Sequence, residues 1–170
     1  MYTEMALWLD SFGAGELLAR AQFATMLYRL EGTPETVYEG KFSDVPNSQW
    51  YTNAVIWASN NNIVSGYKNT TLFGSADNIT REQIAKMLYE YAKASGYDVS
   101  AKKDLNSFTD VKSVSNWAVK YMQWATAVEM ITGKPNDEAK TSFRMDPKGE
   151  ATRAECAAML MRFQGKYAKK

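Results

Sequence analysis

Apolar residues fall at helical spacing in three separate places along the chain. Phe23, Met26, Leu27 and Leu30 form one set; Ile84, Met87, Leu88 and Tyr91 a second; Cys156, Met159, Leu160 and Phe163 a third. Each follows i, i+3, i+4, i+7, which predicts a helix with one buried stripe. A matched lead precedes each stripe: Leu18-Ala19-Arg20-Ala21-Gln22, Ile79-Thr80-Arg81-Glu82-Gln83 and Ala151-Thr152-Arg153-Ala154-Glu155. Thr80 with Gln83, and Thr152 with Glu155, have the spacing of a capping box, in which each side chain satisfies a backbone N–H of the other. Ala19 lacks the hydroxyl, which should cost the first helix about 1 kcal/mol. The arginine is present in all three copies.

A second repeat precedes the later two stripes. Phe42-Ser43-Asp44-Val45 and Phe108-Thr109-Asp110-Val111 open two units. From the tryptophan onward these share a constant offset of 67: Trp50 with Trp117, Val55 with Met122, Trp57 with Trp124, Ala58 with Ala125, Gly66 with Gly133. Trp50, Ala54, Trp57 and Ala58 are helically spaced. Each unit thus reads as a short extended lead, a helix, a glycine-containing loop and the capped helix. The expected layout is a partial first module over 1–32, a linker over 33–41, a second module over 42–91, a linker over 92–107, a third module over 108–165 and a basic tail over 166–170. Gly32-Thr33-Pro34 stops the first capped helix. Before it, Phe12-Gly13 echoes Phe73-Gly74, and Tyr2, Met5, Ala6 and Leu9 suit a short amphipathic helix flanked by Trp8.

Composition narrows the chemistry. The chain has 170 residues, no histidine, one cysteine and a net charge of +1. That is long enough for a substantial single core. Near-neutrality gives no case for nucleic acid or an anionic membrane surface. Without histidine, Ser-His and Cys-His catalysis and most zinc sites are excluded. Cys156 sits on a stripe, where a small buried hydrophobe is expected rather than a reactive thiol. No apolar run is long enough to span a bilayer. Met1–Asp10 lacks a basic start and a cleavage site, so it does not read as a signal peptide.

Taken together, Phe-x-Asp-Val, then Trp, an Ala-rich helix, a hydrophobic pair with x-Gly, Phe, and Thr-Arg-x-Glu/Gln resemble the S-layer homology (SLH) module. The likeness covers 42–91 and 108–163 nearly in full and 12–31 as a second half. It implies a mainly α fold: a pseudo-threefold assembly of helix-loop-helix modules with short extended leads. In that layout the first helices gather centrally, the Thr-Arg helices lie outside, and grooves form between modules. It also implies a non-catalytic, extracellular role, holding a protein on a bacterial surface by binding secondary cell-wall polymer, often capped by a pyruvylated sugar. No cofactor or metal is implied. Module one departs from the pattern, having no Phe-x-Asp-Val lead and no full first helix. Its gap would be filled by Met1–Leu9 or by another chain, or the chain begins inside the module.

Arg20, Arg81 and Arg153 stand in the first turn of their helices. A guanidinium beside free N–H groups and the positive dipole end suits a carboxylate such as a pyruvyl ketal. The alternative is a structural pair with Asp44 or Asp110. Trp50 and Trp117 would stack on a sugar or pack in the core; Trp57 and Trp124 are expected in the core. Gly66 and Gly133 would admit a ligand closely or permit positive φ. The resemblance implies that Asp44, Trp50, Gly66 and Arg81, then Asp110, Trp117, Gly133 and Arg153, with Arg20, contribute to ligand grooves. At least one groove should be defective, because module one lacks its Asp and Trp. Arg81→Ala and Arg153→Ala alter neither a cap nor an apolar stripe, so both should leave the fold intact. Tyr28, Tyr89 and Tyr91 would face a protein partner or line helix contacts. The competing function is a scaffold that binds a protein or self-associates through its incomplete first module. A two-carboxylate glycosidase fits poorly, because the acidic residues are scattered or have cap and lead roles.

Overall fold

The computed structural model describes residues 13–167; the expected helix over Met1–Leu9 and the Phe12 echo lie outside them. The chain is mainly helical. Helix α1 spans Arg20–Leu30, α2 Thr52–Asn60, α3 Arg81–Ala94, α4 Val119–Ala127 and α5 Arg153–Tyr167. Two short 3₁₀ turns, Val111–Ser113 and Asn116–Ala118, lead into α4. Helices α2 and α4 begin and end at positions related by the 67-residue offset. A minimal antiparallel hairpin, β1 (Lys134–Pro135) with β2 (Phe143–Arg144), decorates the loop before α5.

The caps form as their chemistry dictates. The Gln83 backbone N–H donates to Thr80 Oγ1 at 3.4 Å, and the Thr80 N–H donates to Gln83 Oε1 at 3.1 Å. The Thr152–Glu155 box repeats this at 3.2 and 2.9 Å. At α1 only half survives: the Ala19 N–H donates to Gln22 Oε1 at 2.8 Å, and Ala19 returns nothing. Gly32 at φ 93° and Thr33 at φ 53° turn the chain out of α1, as a left-handed C-terminal stop requires. Helix α5 runs to Tyr167, two residues into the expected tail, because Tyr167 stacks on Tyr97 with centroids 4.8 Å apart.

The three stripes meet in one core. Phe23, Leu27, Ile84, Leu88, Cys156, Met159, Leu160 and Phe163 are buried there with Trp57 and Trp124. The main helix contacts run between successive copies: α1 packs on α2, and α3 on α4. Among the described helices, α2 and α4 pack less closely on each other than each does on the capped helix of the preceding copy. The Ala54 and Ala58 face of α2 lets the bulkier stripe of α1 approach. Tyr28, Tyr89 and Tyr91 line internal contacts: Tyr28 against Trp57 at 5.5 Å, Tyr89 against Trp124 at 5.4 Å, Tyr91 against Phe163 at 5.4 Å.

The segments just before the capped helices tie the copies together. The Leu18 N–H donates to the Ala151 carbonyl at 3.0 Å, Ala151 to Ile79 at 2.9 Å, and Ile79 to Leu18 at 2.8 Å. The three bonds close a ring, flanked by the pairings Leu17–Thr152, Ala19–Asn78 and Thr80–Glu150.

Candidate functional site

The first-turn N–H groups of the capped helices are not open. Arg20 and Ala21 donate to the carbonyls of Asp77 and Ser75 at 2.8 and 3.2 Å. Arg81 and Glu82 donate to Gly149 and Pro147 at 3.0 and 2.9 Å, and Arg153 and Ala154 to Glu16 and Ala14 at 2.8 and 3.2 Å. Each helix start is therefore satisfied by backbone of the neighbouring copy. The donors that would have cradled a carboxylate are already used.

The guanidinium groups follow the same cyclic route. Arg20 is 6% exposed; its Nε donates to the Phe73 carbonyl at 3.1 Å and its Nη2 to the Ser65 carbonyl at 3.3 Å. It lies over the rings of Tyr67 and Phe73, at 5.0 and 4.8 Å. Arg81 is 3% exposed; its Nε donates to Met145 at 2.8 Å and its Nη2 to Thr132 at 2.9 Å. Its Nη1 meets Glu155 Oε1 at 3.4 Å. Burial lowers the pKa of both arginines, against the opposing pull of nearby acidic groups. Arg153 reaches Glu16 Oε2 at 3.1 Å. Arg20 and Arg81 are thus clamps between copies, gripping loop carbonyls. The structural alternative expected an Asp44 or Asp110 pair; neither carboxylate hydrogen-bonds an arginine among the described residues.

The lead aspartates instead hold those same loops. The backbone N–H groups of Phe73, Gly74 and Ser75 donate to the Asp44 carboxylate at 2.7, 2.7 and 2.9 Å. Those of Met145 and Asp146 donate to Asp110 at 2.8 and 2.7 Å. Burial alone would raise the Asp44 carboxyl, but the three donors outweigh it and hold it below its ordinary value. Gly66 and Gly133 do not have positive φ. A Cβ on Gly66 would stand 2.6 Å from the Leu72 carbonyl oxygen and 2.9 Å from the Phe42 ring. On Gly133 it would meet the Phe108 ring at 2.8 Å. The glycines therefore admit the lead phenylalanines. A cavity of about 290 Å³ borders Gly133, lined also by Lys103, Phe108, Glu129 and Phe143; no other predicted site residue reaches it.

Trp50 and Trp117 are 62% and 48% exposed, so neither is core, whereas Trp57 and Trp124 are buried. Trp50 stands edge-on to Tyr51 at 5.1 Å, and among the described residues no ring or polar contact ties it to another predicted site residue. Trp117 stands near a lysine of the second copy. The Lys86 Nζ lies 6.0 Å from the Trp117 ring centre and donates to Ser65 Oγ at 2.8 Å. The carbonyl of the same Ser65 accepts from Arg20. Among the described residues, neither Arg20 nor Lys86 forms a salt bridge. Burial lowers the Lys86 pKa, and the charges of Arg20 and Lys120 add to that effect, against Glu90. Sequence reasoning missed Lys86. Its only signal is a break in the repeat, since Thr25 and Ala158 hold the equivalent positions.

Helical modules repeated within one core, with arginine clamps between copies, define a repeat-built module. A family model described as the S-layer homology domain matches residues 41–85 and 107–157. The chain belongs to the S-layer homology family, whose modules are non-catalytic and hold proteins at the cell surface by binding cell-wall polymer. The exoglucanase XynX of Acetivibrio thermocellus is 35% identical over 145 residues, covering 84% of this chain and 12% of the relative. The Surface-layer 125 kDa protein of Lysinibacillus sphaericus is 28% identical over 154 residues, covering 89% of this chain and 12% of that protein. The Cellulosome-anchoring protein of Acetivibrio thermocellus is 28% identical, over 85% of this chain and 31% of its own length. The chain spans less than a third of each of these relatives. No helix of the described residues is long and apolar enough to cross a membrane.

Proposed function

We propose that this chain anchors a protein to a bacterial surface by binding an acidic, pyruvylated cell-wall glycan in the cleft of Arg20, Ser65, Lys86 and Trp117. The observation that carries this is the approach of two cations to one serine, with a salt bridge to neither among the described residues, although Asp77 and Asp44 lie in the field of Arg20 and Glu90 in that of Lys86. Like charges held close in partly buried surroundings repel, and a bound anion relieves that cost. Lys86 is the half-buried, reachable cation; the more deeply buried Arg20 sets the potential beneath it. Trp117 offers an exposed ring for the apolar face of a sugar. The ring of bonds through Leu18, Ile79 and Ala151 supports a pseudo-threefold arrangement, in which further clefts recur at Arg81 and Arg153. Retention on a polymer then depends on how many clefts engage at once.

The test is a pull-down and titration with purified wall polymer. Lys86→Ala and Trp117→Ala should each weaken binding about tenfold, the loss of roughly 1.4 kcal/mol, with unchanged thermal midpoints. Removing the pyruvyl groups should abolish binding to the intact chain. Wild-type affinity in both variants would overturn the assignment.

A further inference from the structure

The last residues of the three apolar stripes, Leu30, Tyr91 and Phe163, hold the same place in their copies, ten residues after each arginine. They meet around a second cavity, of about 230 Å³, whose walls also include Glu31, Tyr97 and Tyr167. None of these residues belongs to the Arg20 cleft. Helix α1 ends at Leu30, whereas α3 continues three residues past Tyr91 and α5 four past Phe163. Gly32 and Thr33 then turn the chain away. The C-terminal end of α1 is thus left beside the rings carried by the longer helices.

Four of those rings form one cluster. The Phe163 centroid lies 5.4 Å from Tyr91, 6.4 Å from Tyr97 and 5.0 Å from Tyr167, at interplanar angles of 32°, 72° and 49°. Their faces therefore turn in several directions. Tyr91 and Phe163 are buried, while Tyr97 and Tyr167 are half-buried and leave the cavity a mouth. Ring faces carry negative potential and attract cations.

The fixed charges around the cavity have the same sign. The Tyr91 hydroxyl donates to Glu31 Oε2 at 2.7 Å. Among the described residues, Glu31 forms no salt bridge. Burial, and then the bond to Glu31 and its charge, raise the Tyr91 phenol above its ordinary value. Burial and the charge of Asp98 raise the Tyr167 phenol, against Trp124. The carbonyl end of α1 adds partial negative charge. Lys93 and Lys166, the nearest lysines along α3 and α5, are exposed and pair with neither carboxylate.

We propose that this cavity is an aromatic cage for a methylated ammonium group, with Glu31 as its counter-charge. A primary ammonium is strongly hydrated and has three donors to satisfy, and the cavity offers it chiefly ring faces and one carboxylate. N-methyl groups carry the positive charge, need no acceptor and pack on ring faces. The site is independent of the glycan cleft: loss of wall-polymer binding in Lys86→Ala would leave it untouched.

The experiment is a titration of the full chain with choline, followed by the ring signals of its tyrosines in ¹H–¹³C spectra. Ethanolamine and 3,3-dimethylbutan-1-ol, the uncharged isostere of choline, are the controls. Choline should move Tyr91, Tyr97 and Tyr167 saturably, and bind about tenfold more tightly than either control. Glu31→Gln keeps an acceptor for the Tyr91 hydroxyl and removes the charge. It should weaken choline about tenfold and leave the alcohol unchanged. Equal affinity for choline and the alcohol would overturn the proposal, as would ethanolamine binding as tightly as choline; neither comparison needs a variant. A folded Glu31→Gln chain with wild-type choline affinity would also overturn it. So would the absence of saturable shifts with choline in wild type, whether or not Lys169→Gln with Lys170→Gln restores them and reveals the chain's own tail as the occupant.

Discussion

Replacing Arg81 with alanine isolates the clamp between the second and third copies. The substitution removes the buried bond to the Met145 carbonyl at 2.8 Å, the partly buried bond to Thr132 at 2.9 Å and the contact with Glu155 at 3.4 Å. A hydrogen bond from a charged donor contributes about 1.5–3 kcal/mol, and a buried acceptor left unmet adds its desolvation cost. Glu155 keeps Lys134, and Thr132 lies where water can reach, so those losses are small. Met145 is fully buried, and its carbonyl would be left without this donor. The sum is roughly 3 kcal/mol, equivalent to a fall of about 6–12 °C in the melting midpoint for a chain of this size. Urea unfolding followed by helical circular dichroism would read the free energy directly. The variant should still fold at room temperature, with an unchanged denaturant slope and a lower midpoint. A loss under about 1 kcal/mol would refute the clamp, because a solvated surface arginine costs no more than that.

Other outcomes follow from the same contacts. Asp44→Asn should lower stability by about 1–2 kcal/mol in urea unfolding, since an amide cannot accept from three backbone donors as a carboxylate does. Asp44, Asp146 and Glu155 are all held below their ordinary values. Their contribution is therefore complete above the ordinary carboxyl range near pH 4 and is lost as pH falls through the depressed values. Acid unfolding by circular dichroism should begin below that range, and Asp44→Asn should flatten its onset. Gly66→Ala should destabilise by about 1–3 kcal/mol, because the Leu72 carbonyl is backbone and cannot give way; an unchanged thermal midpoint would contradict this. The Cys156 thiol is pushed up to about 12 by burial, so iodoacetamide at pH 8 should label it only in denaturant.

The stripes, two of the caps and the 67-residue offset were legible in the sequence, because each is a local pattern with a local cause. Trp57 and Trp124 were placed correctly from their apolar neighbours. Trp50 and Trp117 were not decided, since a tryptophan leading a helix looks the same whether it faces in or out. The arginine clamps were illegible for a different reason. Their partners are main-chain carbonyls of Phe73, Met145, Ser65 and Thr132, and a carbonyl leaves no mark in sequence. The role of Asp44 was hidden likewise, because the N–H groups it accepts from lie about thirty residues away. Lys86 had a signal that attention to shared residues overlooks: it stands where the three copies carry Thr25, Lys86 and Ala158, no two alike.

The bonds linking Leu18, Ile79 and Ala151 have a mechanical consequence. An open stack of repeats exposes its outermost units, which melt first and can be peeled one at a time. A closed circuit leaves no outermost unit. Each of the three linkages is shared with the next, so opening any one of them leaves two copies each short of a backbone partner.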